Sequence, residues 1–370
     1  MVIGAGITGA LVSDALTASG LSVIALDRRQ PGSGSTSAST ALLQYELDTS
    51  LTELTEKVGQ ARAVDAYRAA LHGVRAIGRI ARDLDRDVGH RRRPSLYYAS
   101  QESDSRALLK EGAARQRAKI PCRILRGKEI KDIVDFQAPA ALWSTSGGEV
   151  DPLRLARALF ERCARGQKFD IYGDTEVGAL VSNKTAVEVH TDHGVVRASR
   201  VVIAAGYEAG KFLPRSIARL NSTYAIATEP VRSFAGWRRR CLIWESARPY
   251  LYARTTSDNR IMVGGEDDPF HDPGERDARV ASKAKKLLKK AQQLFPRIDM
   301  KSAYGWAGTF AETRDGLPYI GPHPDVDNRV FYALAYGANG MPFSALAGEL
   351  LAAALLGKVH RYRNTFSFDR

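Results

Sequence analysis

Cysteine is scarce in this chain of 370 residues, which contains only Cys122, Cys163 and Cys241. They are odd in number and far apart in sequence, so the pattern excludes a disulfide framework and a CxxC metal or redox pair. A chain without structural disulfides is typical of a reducing compartment, and we expect a cytoplasmic protein.

Long apolar runs and clustered histidines are also lacking. No hydrophobic run is long enough to span a bilayer. The apolar start of the chain has neither a basic leader nor a cleavage site, so we expect no signal peptide. Of the seven histidines, only His190 and His193 form a close pair, in a predicted hairpin. We expect no metal site there.

Acidic residues are outnumbered, since Lys and Arg total 54 against 41 Asp and Glu, a net charge of +13. Part of the excess lies in residues 280–291, where apolar residues at helical spacing predict a helix whose lysines occupy the opposite, solvated face. Arginine triplets at 91–93 and 238–240 are interpreted as loop or strand-edge charge. Because no recognisable nucleic-acid module accompanies these charges, we do not expect nucleic acid binding.

What the sequence does contain is a glycine pattern at its start. Gly4, Gly6 and Gly9 lead into a helical pattern, and a second strand-like run ends at Asp27. In such a pattern the glycines allow a tight turn, close approach of a pyrophosphate and close helix packing, while the acid binds a ribose hydroxyl. The sequence therefore predicts a dinucleotide site. Its first strand, residues 1–3, is short beside the roughly five or six residues usual for a strand.

Two further segments repeat this logic. Residues 32–40 are dense in small and hydroxyl side chains and run directly into apolar residues 41–43, which favours packing against a phosphate or a cofactor ring over a flexible linker. Near the C-terminus the sequence predicts a strand at 330–335, a Gly-rich turn at 336–342 and a helix at 344–356. That second helix N-terminus would supply positive potential to a cofactor.

The remaining elements are predicted from local patterns. Residues 50–135 are rich in helix formers and charge, which predicts helices of an interrupting domain. Asp151 as N-cap and Pro152 at the first helical position predict a helix start. Apolar and alternating runs predict strands at 169–172, 186–191, 194–197, 201–205, 242–254 and 261–265. Residues 304–321 are interpreted as a turn-rich linker back to the first domain.

Three more motifs complete an ordered set with the opening glycines and the hydroxyl-rich segment: Val-Ile-Ala-Ala-Gly206, Asp-Gly-Leu-Pro-Tyr-Ile-Gly321 and Gly-Ala-Asn-Gly340. With this set the chain resembles the FAD-dependent D-amino-acid oxidase and glycine oxidase family over essentially its whole length. The resemblance implies an α/β fold in which residues 1–50, 145–210 and 311–370 form a discontinuous Rossmann-type FAD-binding domain. Residues 51–144 and 211–310 are expected to form an inserted α+β substrate domain built on a mainly antiparallel sheet.

The resemblance also implies roles for single residues. Gly4, Gly6 and Gly9 would line the pyrophosphate, Asp27 the adenosine ribose, and Val177 and Gly206 the adenine and the nucleotide pocket. The other expected cofactor-binding residues are Arg28, Ser35, Thr36, Ser39, Thr40, Gly337, Asn339, Gly340 and Met341. No cysteine follows Cys241 and no histidine lies in residues 30–44, where relatives with covalently attached flavin carry their attachment residues. FAD is therefore expected to bind non-covalently.

In this family a hydride passes from the carbon that bears nitrogen to flavin N5, and the resulting imine is hydrolysed. The resemblance thus implies an FAD-dependent oxidoreductase that acts on an amine or an amino acid. Phe310 and Ala338 stand where glycine-oxidase-like sequences carry carboxylate-binding arginines, so a small α-amino acid held in that way is not expected. Tyr250, Tyr252 and Arg254 alternate along a predicted strand and are the candidate substrate-site residues.

Several alternatives stay open. The two tyrosines also suit outward cross-strand partners, Arg314 suits a surface position, and Glu245 suits either a cationic substrate amine or a neighbouring arginine. The sequence identifies neither the electron acceptor nor the oligomeric state. The short first strand and the missing arginines also fit a degenerate family member with weak or no flavin binding and a structural or regulatory role. The net charge also fits a flavin enzyme that acts on modified RNA.

Overall fold

The computed structural model describes residues 1–334 and 339–370, which form three β-sheets and the helices packed against them. No helix within these ranges is long and apolar enough to cross a membrane.

The first sheet has six strands. In order across the sheet they are β17 (Tyr319–Pro322), β18 (Val330–Leu334), β11 (Val201–Ile203), β1 (Val2–Ile3), β2 (Val23–Leu26) and β7 (Phe169–Tyr172). Neighbouring strands are parallel except β17 and β18, which are antiparallel. The two-residue strand β1 is paired on both sides, so its short length does not leave its buried backbone unpaired.

Helices cover one face of this sheet. They are α1 (Ile7–Ala18), α7 (Pro152–Ala164) and α10 (Gly340–Leu355), and α3 (Leu51–Val58) and α4 (Gln60–Arg82) share their core. The predicted start of α7 is confirmed, since the Asp151 side chain accepts hydrogen bonds from the amides of Leu153 and Arg154, both at 3.0 Å. Pro152 occupies the first turn, where a missing N–H costs no helical hydrogen bond.

A small antiparallel sheet covers the other face. It consists of β8 (Val177–Ser182), β9 (Val187–Thr191) and β10 (Gly194–Ala198). Val187 and Val189 of β9 pack with Val201 and Ile203 of β11. Because β9 and β10 are antiparallel, with Thr191 opposite Gly194, the hairpin predicted around His190 and His193 is present. Within the described ranges no group of three or more His, Cys, Asp or Glu side chains is placed to hold a metal ion.

The third sheet has nine strands. Eight follow one path, and they are β16 (Ser302–Thr313), β12 (Ala218–Thr228), β15 (Ile261–Asp268), β14 (Leu251–Thr255), β13 (Leu242–Glu245), β4 (Arg91–Tyr98), β6 (Ala141–Glu149) and β3 (Leu42–Leu43). Strand β5 (Arg123–Leu125) pairs with β6. The pairs are antiparallel except β13 with β4. The other helices are α2 (Ser35–Ala38), α5 (Glu102–Arg117), α6 (Lys128–Lys131), α8 (Pro273–Ala278) and α9 (Val280–Leu294).

The predicted turn-rich linker at 304–321 is wrong in its first half. Residues 302–313 form β16, which pairs with β12 from Ala218 opposite Thr313 to Thr228 opposite Ser302. Gly305 marks a close approach rather than a turn, because a Cβ there would lie 3.2 Å from the Cβ of Ala284 in α9.

Two helix predictions also need correction. Helix α10 begins at Gly340, four residues before the predicted start, and Pro342 fits its first turn because an amide there has no helical acceptor. In α9 the lysines do not all face solvent. Lys283 is buried, and its Nζ donates to the Glu266 carbonyl at 2.6 Å and to Asp268 at 2.8 Å. An ion pair on the sheet thus competes with solvent for this side chain.

Packing links segments that the prediction assigns to different domains. Helix α4, expected in the substrate domain, packs against α10, and a Cβ on Gly73 of α4 would lie 2.1 Å from the carbonyl oxygen of Pro342. The division of the chain into an FAD-binding and a substrate domain stays a prediction.

Candidate functional site

A cavity of about 830 Å³ runs from the carboxyl ends of β1 and β2 to the nine-stranded sheet. This is the edge where open α/β sheets bind ligands. Both the α1 and the α10 N-termini reach it, through Gly6, Ile7, Gly340 and Met341. Two helix N-termini give the cavity positive potential at two places.

Glycine shapes the first of these termini. Gly4 has φ +107°, and a Cβ there would lie 2.4 Å from the carbonyl oxygen of Ala204. A Cβ on Gly9 would lie 1.8 Å from the carbonyl oxygen of Gly4. A side chain is thus excluded at both positions, and glycine at each of them permits this turn and the close approach of α1 to it.

Asp27 closes the same turn from the end of β2. Its carboxylate accepts hydrogen bonds from the amide of Ala5 at 2.6 Å and from the amide of Arg29 at 2.9 Å. A carboxylate has about four lone-pair sites, so Asp27 retains acceptor capacity toward the cavity that it lines. Arg28 also lines this end, and its guanidinium contacts Glu208 at 2.7 Å. Val177 and Gly206 complete this end of the cavity.

The hydroxyl-rich segment forms helix α2 and the chain after it. Its predicted residues Ser35, Thr36, Ser39 and Thr40 all line the cavity. The Thr36 hydroxyl accepts a hydrogen bond from the amide of Ile7 at 2.9 Å and so fixes α2 against the first turn of α1. The segment is therefore packed into the site and is not a linker.

The N-terminus of α10 is tied to two other parts of the site. The Asn339 side-chain amide donates to the carbonyl oxygens of Gln44 and Glu46, both at 2.7 Å. Ser344 and Thr8 share a hydrogen bond of 2.8 Å between the two helix N-termini. Asn339, Gly340 and Met341, which are expected beside the flavin, line the cavity, whereas Gly337 and Ala338 lie outside the described residues.

The wall opposite the helix N-termini is aromatic. Tyr250, Tyr252 and Phe310 line it, and the Trp306 indole N–H donates to the carbonyl oxygen of Ala38 at 2.9 Å. Because both tyrosines line the cavity, they are not outward cross-strand partners, and their ring centroids lie 5.8 Å apart. Burial raises the pKa of Tyr252 to about 12, and this phenol is therefore neutral at physiological pH.

The other local candidates do not line the cavity. Arg254 lies beneath it, 6% exposed, and its guanidinium donates to the carbonyl oxygens of Thr40 and, at 3.1 Å, Thr255. Glu245 accepts from the hydroxyls of Tyr98 at 2.9 Å and Ser100 at 3.0 Å and from the Leu251 amide at 2.9 Å, and it pairs with no arginine in the described structure. Arg314 is exposed.

Sequence reasoning missed three polar residues that follow the hydroxyl-rich segment. Gln44, Glu46 and Asp48 line the cavity, and we call them the 44–48 strip. The intervening Tyr45 and Leu47 are buried in the core. The polar and apolar alternation of Gln-Tyr-Glu-Leu-Asp was the available signal, because alternate residues of an extended segment face opposite sides.

Behind this strip lies a buried charge cluster. The Arg115 Nε donates to Glu111 Oε1 at 2.6 Å, and Glu111 also accepts from the amides of Leu51 at 2.9 Å and Thr52 at 3.0 Å. Glu46 Oε1 lies 4.0 Å from Arg115 Nη1, and Glu46 Oε2 has no hydrogen-bond partner among the described residues. Burial raises the pKa of Glu46 above its ordinary value, and the charge of Arg115 counteracts this only in part.

The residues present fit an FAD molecule. The Gly-rich turn, the free acceptor capacity of Asp27 and the two helix N-termini suit a dinucleotide, and the same cavity continues to the aromatic wall. None of the three cysteines is among its described lining residues.

Comparisons with known proteins agree with this geometry. The family model DAO, described as FAD dependent oxidoreductase, matches residues 1–354. Glycine oxidase of Geobacillus kaustophilus is 27% identical over 370 residues, covering 95% of this chain and 91% of that protein. Its crystal structure superposes with a TM-score of 0.83 at 21% identity, over 100% of this chain and 97% of that one. The predicted α/β fold class is thereby confirmed.

Other relatives match in part. Gamma-glutamylputrescine oxidoreductase of Escherichia coli is 28% identical over 245 residues, which is 63% of this chain and 54% of that protein. The match also spans little more than half the length of several other glycine oxidases, 54% to 58%.

Proposed function

The chain belongs to the DAO family of FAD dependent oxidoreductases, and from this premise we propose that it oxidises a C–N bond of an amine or an amino acid by hydride transfer to FAD. The observation that carries the proposal is one continuous cavity that joins the dinucleotide turn at Gly4 to the wall of Tyr250 and Tyr252. A dinucleotide site and a substrate wall in one cavity are what a two-electron transfer between bound partners requires.

The cofactor-binding residues follow from the geometry. Gly4, Gly6 and Gly9 with the α1 N-terminus suit the pyrophosphate, and Asp27 suits the ribose. Asn339, Gly340 and the α10 N-terminus suit the electron-rich end of the flavin ring. When bound there non-covalently, FAD supplies the acceptor for the hydride.

The chain's own side chains orient the substrate. The neutral phenols of Tyr250 and Tyr252 provide hydrogen-bonding groups on this wall, and Phe310 and Trp306 add apolar surface to it. Arg254 is a positioning residue in this account, because it contacts the Thr40 carbonyl rather than the cavity.

Both rival functions find less support in the structure. The tight turn at Gly4 and Gly9 leaves no room for a Cβ at either position. A degenerate member that binds no flavin would not need such a turn, because a relaxed turn would serve a structural protein equally well. The basic helix α9 gives little support to RNA binding, because two of its lysines are already paired with carboxylates. Lys283 contacts Asp268 at 2.8 Å, and Lys290 contacts Glu266 at 2.5 Å.

The test is the colour and reducibility of the purified protein. We expect the absorbance of an oxidised flavin and its loss under anaerobic conditions on addition of an amine or an amino acid from a broad panel. Protein that stays colourless after incubation with FAD would overturn the proposal in favour of the degenerate alternative. Steeply salt-dependent RNA affinity without reduction by any small amine would favour the RNA alternative.

A further inference from the structure

Arg276 of helix α8 lines the cavity with a guanidinium that is only partly engaged. Its Nε donates to Asp277 at 2.8 Å, and its Nη1 donates to the Thr309 hydroxyl at 2.9 Å. The Asp277 side chain is 61% exposed, so solvent screens this ion pair. A guanidinium has five N–H donors. Three donors of Arg276, including both on Nη2, therefore have no partner among the described residues.

The carboxylates around α8 do not use up these donors, because they have partners of their own. Asp268 accepts from the Lys283 ammonium at 2.8 Å and from the Arg279 guanidinium at 3.2 Å. Glu275 also pairs with Arg279. The free donors of Arg276 are thus available to a ligand in the cavity.

The other arginines and the lysine in the described lining face carboxylates at the end expected for the adenosine. Arg28 and Arg29 both contact Glu208 at 2.7 Å, and Lys211 contacts Glu176 at 3.0 Å. These ion pairs belong to the cofactor end of the cavity. They leave an acidic group of a substrate to be recognised elsewhere.

The cavity reaches Arg276 around the edge of the nine-stranded sheet. Strand β16 is the edge strand, and its five consecutive residues 306–310 all line the cavity. Neighbouring side chains of a strand face opposite sides, so the cavity extends around this edge. Arg276 contacts Thr309, whose side chain faces away from that of Phe310. Its guanidinium therefore does not occupy the position of the arginine that is absent at Phe310.

Arg276 is well separated from the two tyrosines of the aromatic wall. Tyr252 lies on β14, and strands β15 and β12 stand between β14 and β16. The strand registers place Tyr252 level with Trp306 of β16. Three interstrand spacings make about 14 Å across the sheet, and Thr309 lies farther along β16. An α-amino acid, whose two charged groups share one carbon, cannot reach from the tyrosines to this guanidinium.

We propose that Arg276 binds a carboxylate that the substrate carries several bonds away from the oxidised C–N bond. This inference rests on the proposed function, which puts the reacting amine at Tyr250 and Tyr252, and it narrows the substrate to amines with a remote acid. A guanidinium suits a carboxylate because its planar fork donates two parallel hydrogen bonds. The spacer between the two groups crosses β12, where Thr223 and Ala225 line the cavity.

The substrate class is tested with amines that differ in chain length and in one carboxylate. The matched pairs are 8-aminooctanoate with heptylamine, 6-aminohexanoate with pentylamine, and glycine with methylamine. Anaerobic reduction of the FAD-loaded protein is followed against amine concentration. We expect the carboxylate to lower the half-saturating concentration about tenfold in the two long pairs, as a charged hydrogen bond does. Glycine should show no such gain over methylamine.

The role of Arg276 is tested by Arg276→Met, which removes the guanidinium and keeps an unbranched side chain. The advantage of 6-aminohexanoate over pentylamine should disappear, and the half-saturating concentration should rise more than the limiting rate falls, because the contact is remote from the reacting bond. Arg276→Lys keeps the charge and should recover part of the advantage. The control Arg197→Gln changes an exposed hairpin ion pair with Glu188 and should behave like wild type. Thr309→Val removes the hydroxyl that accepts from Arg276 and tests the same contact if Arg276→Met does not fold.

The outcomes separate the two proposals. An equal gain from the carboxylate in all three pairs, no gain in the long pairs, or an unchanged gain in Arg276→Met would overturn the carboxylate site while leaving C–N oxidation intact. Reduction by other amines or amino acids but by no compound of this series would also overturn it. Reduction by no compound of either kind would overturn the proposed function itself.

Discussion

The side-chain amide of Asn339 donates a 2.7 Å hydrogen bond to the main-chain carbonyl of Glu46. This contact joins the N-terminus of α10 to the 44–48 strip, across a separation of 293 residues in sequence. The same amide group also donates to the Gln44 carbonyl. The position of the acidic strip is therefore coupled to the helix N-terminus that we assign to the flavin.

Replacing Asn339 by alanine should weaken this contact between α10 and the 44–48 strip. The change leaves two carbonyl oxygens without their donor, and we expect about 2 kcal/mol or more of lost stability from this cause. The midpoint of thermal unfolding should fall, and the Kd for FAD should rise. Asn364→Ala, at an exposed position, is the control. Wild-type FAD affinity in Asn339→Ala would contradict the assignment.

Gly9→Ala should prevent formation of the dinucleotide turn. The added Cβ meets the Gly4 carbonyl oxygen at 1.8 Å, and backbone atoms yield less readily than the end of a flexible side chain. We expect FAD binding to be lost in a titration monitored by flavin fluorescence. Gly210→Ala adds the same atom where nothing lies within 4 Å and should bind FAD normally.

Arg254→Met and Tyr252→Phe should have different effects. Arg254 holds the Thr40 carbonyl, so its loss should weaken FAD binding about tenfold by freeing a segment of the cofactor wall. Tyr252→Phe removes a hydroxyl that lines the cavity and accepts a long hydrogen bond from the Thr40 hydroxyl, at 3.4 Å, so it should slow flavin reduction and weaken FAD binding less than Arg254→Met does. FAD titration and anaerobic stopped-flow measurements separate the two. An Arg254→Met variant with wild-type affinity and rate would refute its positioning role.

Asp267→Asn should increase the free energy of unfolding at pH 7 but not at pH 4. Burial raises the pKa of Asp267 from 3.8 to about 6 in the folded state, and Oδ1 has no partner among the described residues. Protonation of Asp267 is favoured in the folded state, so its contribution to the free energy of unfolding is complete below about pH 4 and is lost as the pH rises through 6. Since a tenfold change in proton affinity is worth about 1.4 kcal/mol, the gain at pH 7 should approach about 3 kcal/mol. Urea unfolding at pH 4 and pH 7 measures it, and equal gains at both would contradict the pKa assignment.

The turn at the start of α1 and the start of α7 could be predicted from the sequence for a local reason, whereas the roles of the cofactor residues stay predictions. Gly9 packs against the carbonyl oxygen of Gly4, and Asp27 accepts from the amide of Ala5, so the spacing of the motif carries most of this geometry. Asp151 and Pro152 at the start of α7 are predictable for the same reason. The approach of Gly4 to the carbonyl oxygen of Ala204 is the part of this turn that the spacing of the motif does not show.

The substrate half was harder to predict because long-range packing decides it. Glycines such as Gly305 looked like turn residues, although they mark where α9 approaches β16. Strand alternation correctly placed Tyr252 and Arg254 on one face but does not show that the Arg254 guanidinium stops at Thr40. The alternation of residues 44–48 was visible in the sequence, but their place at the cavity depends on the long-range contact of Asn339 with the carbonyls of Gln44 and Glu46.

The most direct measurement of the central claim is anaerobic reduction of the FAD-loaded protein by an amine and by the same amine deuterated on the carbon that bears nitrogen. The account predicts loss of the oxidised flavin absorbance, slower for the deuterated compound because the carbon–hydrogen bond breaks in that step, and about one carbonyl product per flavin reduced. An unchanged flavin spectrum with every amine and amino acid tested would contradict it.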